Sequence, residues 1–371
     1  MNILYAINSS QPGGAEQHVL DLVNGMVTNG HQVFVWCPEG IMAVRYEIAG
    51  ADVVRIKIGP DIDFTYITAL TKFLKEKKID ILHAHELKAV GNALIAGFLA
   101  RTKVRISHTH TPISEWQIPA WKKFVNIKFF YSPIVNLLTT KEIALTESRM
   151  EVKLREGIKR NKLEIIPNGV DLQRFVPVHK EKSPGEPYIF GYLGRLTVEK
   201  GVPVLLEAFS KLMQRAKIEP WEIKLVIAGG GVLEEDLKKK TRELLLEDNI
   251  GFLGTFAEED KVSIYNSFDA FIFPSLAEGF GIVLIEAMAM ELPAIASDLP
   301  PLEEIGGSTV IFFEAGNSED LAEKMYNLYL KKDKIRNLAV EERRRVEELF
   351  SMEKFITSYQ NLYERLLEEK K

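Results

Sequence analysis

The sequence predicts an α/β protein built from two parallel-sheet domains, and three observations lead to that prediction. Short apolar runs alternate with helical segments along nearly all of the 371 residues. A polar, turn-rich stretch, VHKEKSPGEP at 178–187, interrupts this alternation near the middle of the chain. The chain is also too long for one ordinary hydrophobic core, which suggests two domains. Alternation of this kind indicates parallel sheets covered by helices on both faces.

The apolar runs predict seven strands before the linker and six after it. The first series is Ile3–Ile7, Gln32–Trp36, Val53–Lys57, Ile81–His85, Val104–His108, Ile143–Thr146 and Leu163–Ile166. The second series is Tyr188–Leu193, Lys224–Ala228, Gly251–Leu253, Ala270–Phe273, Ala294–Ala296 and Val310–Phe313. Helices are predicted between most strands, so the expected domains are 1–176 and 188–350. Ligands of such sheets bind at the carboxyl ends of the strands, and two domains facing each other would share a cleft.

Composition excludes several classes of protein. Hydrophobic residues make up 46% and charged residues 27% of the chain, which is typical of a globular protein. No run approaches the roughly 18 apolar residues of a spanning helix, and the N-terminus lacks a basic signal region. The single cysteine, Cys37, allows no intrachain disulfide. We therefore expect a cytoplasmic protein.

The net charge of −5 conceals an asymmetry between the two halves of the chain. Residues 1–180 carry 23 Lys and Arg against 17 Asp and Glu, whereas residues 181–371 carry 24 against 35. A basic half can attract anionic substrates or the anionic surface of a membrane. No nucleic-acid partner is expected.

The most informative motif is EGFGIVLIE, which runs from Glu278 to Glu286. It follows the predicted strand Ala270–Phe273 and turns through Gly279–Gly281 into a helix, a geometry that offers free backbone N–H groups to a phosphate. The two carboxylates can receive hydroxyl groups on either side of that phosphate. The motif therefore suggests a nucleotide sugar, the alternative being an ordinary helix start with two solvated glutamates.

Three other loops after predicted strands carry glycines or cations. They are QPGGAE at 11–16, GRLTVEKG at 194–201 and the Gly229-Gly230-Gly231 run. Arg195 and Lys200 lie near a helix start, where the helix dipole disfavours cations, and this suggests an anionic ligand. The alternative for these two residues is a solvated surface pair. The glycines would let the backbone approach a diphosphate, base or sugar.

In this order the motifs resemble those of glycosyltransferase family 4, whose members are retaining enzymes of the GT-B fold. The resemblance covers essentially the whole chain. Its motifs are GGAEQHV at 13–19, HAHE at 83–86, PNGVD at 167–171, GRLTVEKG at 194–201, IAGGG at 227–231 and FPSLAEGFGIVLIEAMA at 273–289. The last is the most specific, because it holds the family's Glu-x7-Glu pair. The resemblance implies two Rossmann-like domains facing each other across a cleft, with a closing helix at about 351–371 that returns to the first domain.

The resemblance also implies an activity. The expected enzyme is a retaining hexosyltransferase that moves a sugar from a nucleoside-diphosphate sugar, with UDP as the expected nucleotide, to a saccharide or lipid-linked acceptor. Members of the family usually need no metal, so no metal or other cofactor is expected. We expect a role in cell-envelope polysaccharide synthesis at the cytoplasmic side, with peripheral contact to the inner face of the membrane.

Residue roles follow from the same motifs. Arg195 and Lys200 would hold the donor diphosphate, Glu286 the ribose and Glu278 the sugar hydroxyls, while His110 would lie beside the transferred sugar. These residues give a catalytic set of His110, Glu278, Arg195 and Lys200. The implied donor-binding set is Gly13, Gly14, Arg195, Lys200, Gly229, Gly230, Glu278, Gly279, Phe280, Gly281, Ile282, Val283 and Glu286. The acceptor-side set is His18, His85 and Glu86.

Two patterns raise the question of a metal site. His83 and His85 alternate at one strand end, and His108 and His110 alternate at another. Four histidines suggest zinc, but no cysteine or further carboxylate completes the site, so none is expected. Period-two spacing places His85 and His110 nearer the cleft and the other two in the core, and His18 is interpreted as a helix-face residue.

The second pattern is Asp61-Ile62-Asp63. Such a D-x-D pair can hold a divalent ion on a diphosphate. It lies far in sequence from the other donor motifs, which favours a solvated loop.

Alternative functions remain open from the sequence. A nicotinamide dehydrogenase would need G-x-G-x-x-G after a strand, and the chain lacks it. A nucleotide-sugar epimerase of the same fold would use a similar donor pocket, and a non-enzymatic nucleotide-sugar-binding protein is the alternative from another class. The segment Trp116–Tyr131 mixes aromatic residues with Lys122, Lys123 and Lys128, which suggests contact with lipid headgroups or a lipid-linked acceptor. An amphipathic core helix is the alternative for that segment.

Overall fold

The computed structural model describes residues 1–115, 118–178, 183, 185–215, 219–332 and 335–370. The chain forms two compact units, the first comprising Met1–Asn168 with Glu353–Lys371 and the second Gly169–Met352. Trp116 and Gln117 of the predicted aromatic segment lie outside the described residues, as do 179–182 and 184 of the predicted linker.

The first unit begins as an alternation of strands and helices. Its strands are β1 (Asn2–Ile7), β2 (Gln32–Cys37), β3 (Asp52–Arg55), β4 (Ile81–His85), β5 (Val104–His108), β6 (Lys141–Ala144) and β7 (Leu163–Ile165). Its helices are α1 (Gly14–Thr28), α2 (Ile41–Ile48), α3 (Phe64–Glu76), α4 (Leu87–Ala100), α5 (Ala120–Val125), α6 (Ser132–Leu138) and α7 (Glu147–Arg155). A π-helical segment, Asn126–Tyr131, joins α5 to α6, and short 3₁₀ turns lie at Ile113–Glu115 and Arg160–Lys162.

All seven strands of the first unit are parallel, in the order β3-β2-β1-β4-β5-β6-β7. The strands are apolar because both faces of the sheet are covered, as Ile3, Leu4 and Leu82 illustrate with no exposed surface. The chain order reverses between β1 and β4. In doubly wound sheets this switch point, at the carboxyl ends of the strands, is where ligands bind.

The second unit repeats the plan with six strands. They are β8 (Tyr188–Leu193), β9 (Ile223–Ala228), β10 (Ile250–Gly254), β11 (Ala270–Phe273), β12 (Ala294–Ser297) and β13 (Ile311–Phe313). Its helices are α8 (Val202–Met213), α9 (Glu234–Glu243), α10 (Lys261–Tyr265), α11 (Ile282–Ala289), α12 (Pro300–Gly306), α13 (Ser318–Leu330) and α14 (Arg336–Leu349), with 3₁₀ turns at Val198–Lys200, Pro220–Glu222 and Glu258–Asp260. The strands are parallel in the order β10-β9-β8-β11-β12-β13, so the switch point lies between β8 and β11.

The last helix, α15 (Met352–Glu368), belongs to the first unit apart from its first residue. It buries Phe355, Tyr359 and Tyr363 there. The Tyr363 hydroxyl lies 2.9 Å from His83 Nδ1, so α15 contacts a side chain of β4 directly. A side chain at Gly25 of α1 would collide with Ile356, which shows how closely α15 packs against that helix.

The predicted fold class is confirmed: both units are Rossmann-like parallel sheets with helices. All thirteen predicted strands are present, with bounds within two residues of the prediction. Among the described residues, no helix is both long and apolar enough to cross a membrane.

Candidate functional site

Two loops meet at the switch point of the second unit, one after β8 and one after β11. Gly201 ends the first loop in the left-handed region, with φ of +65°, and a Cβ on it would collide with the Pro274 carbonyl oxygen of the second loop. Only glycine fits this position, both for its backbone angle and for its space. The backbones of the two loops are therefore in contact, and their side chains share one small region.

Lys200 and Glu278 face each other in that region. Lys200 Nζ lies 2.5 Å from Glu278 Oε2, and the two side chains are only 16% and 13% exposed. The Gly279 N–H donates to Glu278 Oε1 at 3.1 Å, and the lysine also lies 5.6 Å from the centre of the Phe273 ring. The pair is therefore a sheltered cation and carboxylate at a sheet switch point, whereas the solvated surface pair considered from the sequence does not describe Lys200.

The helix that follows Glu278 starts without a side-chain cap. Gly281 is the N-cap of α11 with φ of +103°, and it makes no side-chain capping bond. The N–H groups of Ile282 and Val283 lie in the first helical turn, where the helix itself supplies no acceptor. Such N–H groups together with the helix dipole bind anions. Phe280 is buried and packs on Phe350 with ring centres 6.0 Å apart, so its side chain anchors the turn.

Glu286 is buried in α11 and accepts two hydrogen bonds. Lys261 Nζ donates to Oε1 at 2.7 Å, and the Tyr265 hydroxyl donates to Oε2 at 2.8 Å. Burial opposes the charge on Lys261, but the carboxylates of Glu286 and Glu258 outweigh it and raise the pKa of Lys261. Neither partner was predicted from the sequence, although their i, i+4 spacing on one helical segment places them on a common face.

Glycines bring a third loop close to the same region. A Cβ on Gly229 would collide with the Gly194 carbonyl oxygen, and one on Gly231 with the Leu196 carbonyl oxygen. Gly230, between them, has the Thr255 methyl carbon 2.5 Å from its hypothetical Cβ. The loop after β9 therefore lies flat against the loop after β8 and presents backbone rather than side chains.

Arg195 differs from Lys200 because it is exposed. Its guanidinium lies 3.6 Å from Glu199 Oε1, and its side chain is 72% exposed. It is therefore free to turn towards an anion.

In the first unit, the glycine loop after β1 leads directly into α1. Gly13 is the extended N-cap residue, and α1 begins at Gly14, with Glu16 in its first turn. A Cβ on Gly13 would come within 2.5 Å of Glu16 Oε2, whereas the space beside Gly14 is open. This loop lies at the switch point of the first unit.

Five histidines cluster at the same end of the first sheet. His108 and His110 stack with ring centres 3.9 Å apart, and His18 of α1 lies 4.8 Å from His108 and 5.0 Å from His110. His83 and His85 of β4 lie beside them, with ring centres 4.2 Å apart and planes tilted by 33°. Burial lowers the pKa of every ring in this group, and that of His18 to about 4.

Burial distinguishes the histidines of this cluster. His83, His85 and His108 are buried, whereas His110 is half-buried. His18 of α1 is 1% exposed and joins the same cluster, a contact that was not predicted from the sequence. The two strand-end pairs come together because β4 and β5 pair in register with His85 opposite His108.

Glu86 follows His85 and has an unusual backbone. Its φ is +67°, a left-handed value that a non-glycine residue rarely adopts, and strain of this kind is found at functional sites. Burial, aided by the charge of Glu16, raises the pKa of Glu86 to about 7. The His110 backbone N–H partly offsets that rise.

A buried polar network supports the backbone between His108 and His110. Thr109 Oγ1 lies 2.7 Å from the Tyr131 hydroxyl and donates to Glu142 Oε1 at 2.9 Å. Lys153 donates to Glu142 Oε1 and to the Thr109 carbonyl, the latter at 3.0 Å. The network therefore connects the π-helical segment to Thr109, the residue before His110.

Next to this network is a cavity of about 400 Å³. Its walls are mostly apolar and come from the loop before α3, from α4 and from the segment leading into α6. They include Ile62, Leu87, Val90, Phe130, Tyr131, Ile134 and Val135, with Asp61 and Lys88 at the polar part. A larger cavity, of about 480 Å³, lies at the opposite end of β5 and β6 and is lined mostly by polar and basic side chains.

Asp63 has a structural role that explains the D-x-D pair. It is the N-cap of α3, where its carboxylate accepts from the Tyr66 N–H at 3.0 Å and the Gly59 N–H at 2.9 Å. These backbone bonds lower the pKa of Asp63. Both oxygens of the Asp63 carboxylate therefore accept backbone hydrogen bonds at the start of α3.

Two family models match the chain. Residues 12–174 match the model described as Glycosyltransferase Family 4, and residues 177–346 match the model described as Glycosyl transferases group 1. The two matches correspond to the two sheets.

Individual proteins are similar over most of the chain. A putative glycosyltransferase EpsF of Bacillus subtilis (strain 168) is 28% identical over 310 residues, which are 80% of this chain and 79% of that protein. A phosphatidyl-myo-inositol mannosyltransferase of Mycobacterium tuberculosis (strain ATCC 25618 / H37Rv) is 27% identical over 308 residues, 79% of this chain and 76% of that one. The crystal structure of Anabaena Alr3699/HepE in complex with UDP-glucose has a TM-score of 0.82 at 20% identity and covers 98% of this chain and 100% of its own.

Proposed function

The chain belongs to glycosyltransferase family 4, and from this membership we propose that it moves a hexose from a UDP-sugar to a lipid-linked saccharide with retention of anomeric configuration. The observation that carries the proposal is the arrangement of Lys200, Glu278 and the uncapped start of α11 at the switch point of the second sheet. UDP is proposed as the nucleotide because the Anabaena structure of the same fold holds UDP-glucose.

The second unit supplies what a nucleoside-diphosphate sugar needs. Lys200, the exposed Arg195 and the N–H groups of Ile282 and Val283 offset the charge of a diphosphate, each charge-assisted bond contributing about 1.5–3 kcal/mol. Glu278, once the lysine turns to the phosphate, can receive sugar hydroxyls. Glu286 is oriented by its hydrogen bond from Lys261 and can accept the ribose hydroxyls. Because these groups already supply positive charge, donor binding requires no metal ion.

The same groups favour bond breaking. Departure of the diphosphate builds negative charge on its oxygens and positive charge on the anomeric carbon. Fixed donors aimed at the departing oxygens stabilise that transition state more than the ground state. If the acceptor enters on the face the diphosphate leaves, the diphosphate oxygen can take the acceptor proton. A covalent role for Glu278 is then unnecessary.

The first unit is proposed to bind the acceptor. His110, Glu86 and the end of β4 offer hydrogen-bonding groups, and the cavity beside Tyr131 offers room for an apolar chain. Four aromatic side chains near that cavity are exposed, by 65% at Trp121, 58% at Phe124, 67% at Phe129 and 51% at Phe130. Aromatic residues and lysines together are typical of a surface that rests on lipid headgroups.

A relative supports the lipid-linked acceptor. Phosphatidyl-myo-inositol mannosyltransferase, by its name, acts on a lipid. We therefore propose a peripheral membrane enzyme of cell-envelope saccharide synthesis.

A thermal-shift panel tests the donor proposal. The protein is heated with UDP, GDP, ADP, their hexose conjugates and NAD, each with and without EDTA. A ligand at 100 times its dissociation constant that binds only the folded state adds about 2.7 kcal/mol to stability. We expect UDP and UDP-hexoses to raise the melting temperature equally with and without EDTA. Stabilisation by NAD alone, or by nucleotides only when a divalent ion is present, would contradict the proposal.

A further inference from the structure

We infer that His18, His85, His108 and His110 form a binding site for a borderline transition-metal ion, with Zn²⁺ as the physiological candidate. The sequence argued against such a site because no cysteine or further carboxylate completed the two strand-end pairs, and His18 was interpreted as a helix-face residue. The structure adds His18 from α1 as a fourth ligand. The inference concerns the first unit and does not depend on which reaction the protein catalyses.

The geometry of the four side chains suits a tetrahedral ion. One ring nitrogen from each of the four residues lies within 4.8 Å of all the others. A tetrahedral zinc ion with bonds of about 2.0–2.1 Å holds its ligand atoms roughly 3.4 Å apart, so closure needs side-chain shifts of about an ångström. His18 comes from α1, His85 and His108 from the ends of the adjacent strands β4 and β5, and His110 from the loop after β5.

The ring nitrogens have the lone pairs that a metal requires. His18 Nδ1 lies 2.7 Å from Asn168 Oδ1, and a proton donated there leaves Nε2 as an acceptor, which lies 3.4 Å from the Tyr359 hydroxyl. Metal-binding histidines characteristically use such a partner to fix the ring and its tautomer. Among the described residues, His85 Nε2 and His108 Nδ1 are buried without any hydrogen-bond partner. A buried polar atom left unpaired costs stability, and a bound ion would remove that cost at any of these nitrogens that it coordinates.

The ligand set selects the class of ion. Four imidazole nitrogens and no carboxylate oxygen suit Zn²⁺, Co²⁺, Ni²⁺ or Cu²⁺ and not Mg²⁺ or Ca²⁺, which require oxygen ligands. The site is therefore chemically different from a metal that would bridge a donor diphosphate. EDTA could remove this ion from the histidines without affecting donor binding, so the two effects of EDTA are measured separately.

Cobalt provides a direct measurement. The full-length protein is dialysed against EDTA, freed of chelator and titrated with CoCl₂ while the visible spectrum is recorded. We expect one equivalent to bind with the intense bands of tetrahedral cobalt, and one equivalent of ZnCl₂ to abolish them. A His108→Gln variant should weaken binding at least about tenfold, because it removes one of four ligands.

The matched control is His83→Gln. His83 is equally buried and lies beside His85. Its Nδ1 bonds to the Tyr363 hydroxyl, however, and it is not one of the four proposed ligands. This variant should retain one tight cobalt site. Circular dichroism and urea unfolding establish that both variants fold. Absence of tetrahedral bands in the wild type, or equal loss of cobalt in the two variants, would overturn the inference.

Discussion

Lys200 Nζ lies 2.5 Å from Glu278 Oε2, although the two residues are 78 positions apart in the chain. Their strands, β8 and β11, are neighbours only because the sheet order reverses there. The lysine thus has a carboxylate partner in the free protein and can exchange it for a phosphate. The carboxylate released by that exchange can then accept sugar hydroxyls, so one ion pair prepares both halves of the proposed donor site.

Removal of the lysine should affect catalysis more than binding. We expect Lys200→Ala to lower turnover by about 10²–10³-fold with a much smaller change in donor KM, because the lost charge acts on the departing diphosphate. Steady-state kinetics with a UDP-hexose provide the measurement. Lys211→Ala is the control, since Lys211 lies on α8 and forms an exposed ion pair with Glu319. Equal and small effects on turnover and KM would be inconsistent with this role.

The buried ion pair of Lys153 and Glu142, which contacts the backbone next to His110, should be important for stability. Lys153 and Glu142 are 2% and 0% exposed; burial acts to raise the pKa of Glu142, but the charge of Lys153 and the hydrogen bonds to the carboxylate together lower it. Lys153→Met leaves the carboxylate unpaired and should destabilise the fold by about 3–5 kcal/mol, as measured by urea unfolding. The double variant Glu142→Gln with Lys153→Met should recover most of this loss.

The control for that cycle is Lys239→Met. Lys239 and Glu243 are 70% and 62% exposed, and a surface pair of this kind contributes little. A double variant no more stable than Lys153→Met would show that the network matters through something other than the unpaired charge.

Glu342 should make stability fall as pH rises. It is buried in the second unit, and burial raises its pKa well above 4.5, while a hydrogen bond of 3.2 Å from the Ala294 N–H only partly opposes this. The folded protein therefore holds this proton over a pH range in which the unfolded chain has lost it. Its contribution to stability is complete below the unfolded pKa and declines as pH rises towards the folded pKa.

Glu342→Gln cannot lose a proton, so its stability should decline less between pH 5 and pH 8 than that of the wild type. Urea midpoints at both pH values measure the difference. Glu341→Gln, at an adjacent exposed position, should behave as the wild type does. Identical pH dependence in the wild type and the Glu342 variant would show that this carboxyl is not held protonated.

The exposed aromatic residues should mediate membrane contact. The wild type should float with anionic vesicles at low salt and less at high salt, because lysine attraction is screened while aromatic insertion is not. Phe124→Ser combined with Phe129→Ser should reduce flotation. Phe98→Ser, an equally exposed phenylalanine on α4, should not. No flotation of the wild type on anionic vesicles would contradict the peripheral-membrane proposal.

The sequence predicted the fold more completely than the site. Parallel strands are recognisable because both faces are buried, and Ala270–Phe273 is a run of four buried apolar residues, short enough for a strand and closed by Pro274. The loops that carry Lys200 and Glu278 could be identified for the same reason, since each follows such a strand.

Contacts within the site could not be predicted in the same way. The partners of Glu286 and the fourth histidine of the cluster depend on strand order and on which helix face packs inward, and neither is encoded locally. The helix expected near Trp121 changes to a π-helical turn at Asn126, which alters which side chains share a face and leaves Phe129 and Phe130 exposed. A single helical period applied to the sequence could not show this.

The central claim is sugar transfer from a nucleoside diphosphate, and UDP release from UDP-hexoses in the presence of EDTA tests it most directly. The enzyme is incubated with UDP-hexoses and membrane lipid extract, and both UDP and the anomeric configuration of the new bond are followed by NMR. We predict UDP release coupled to a new glycosidic bond of the donor's configuration, with Lys200→Ala strongly impaired. A sugar isomerised while still attached to its nucleotide, or no consumption of any nucleotide sugar, would contradict the account.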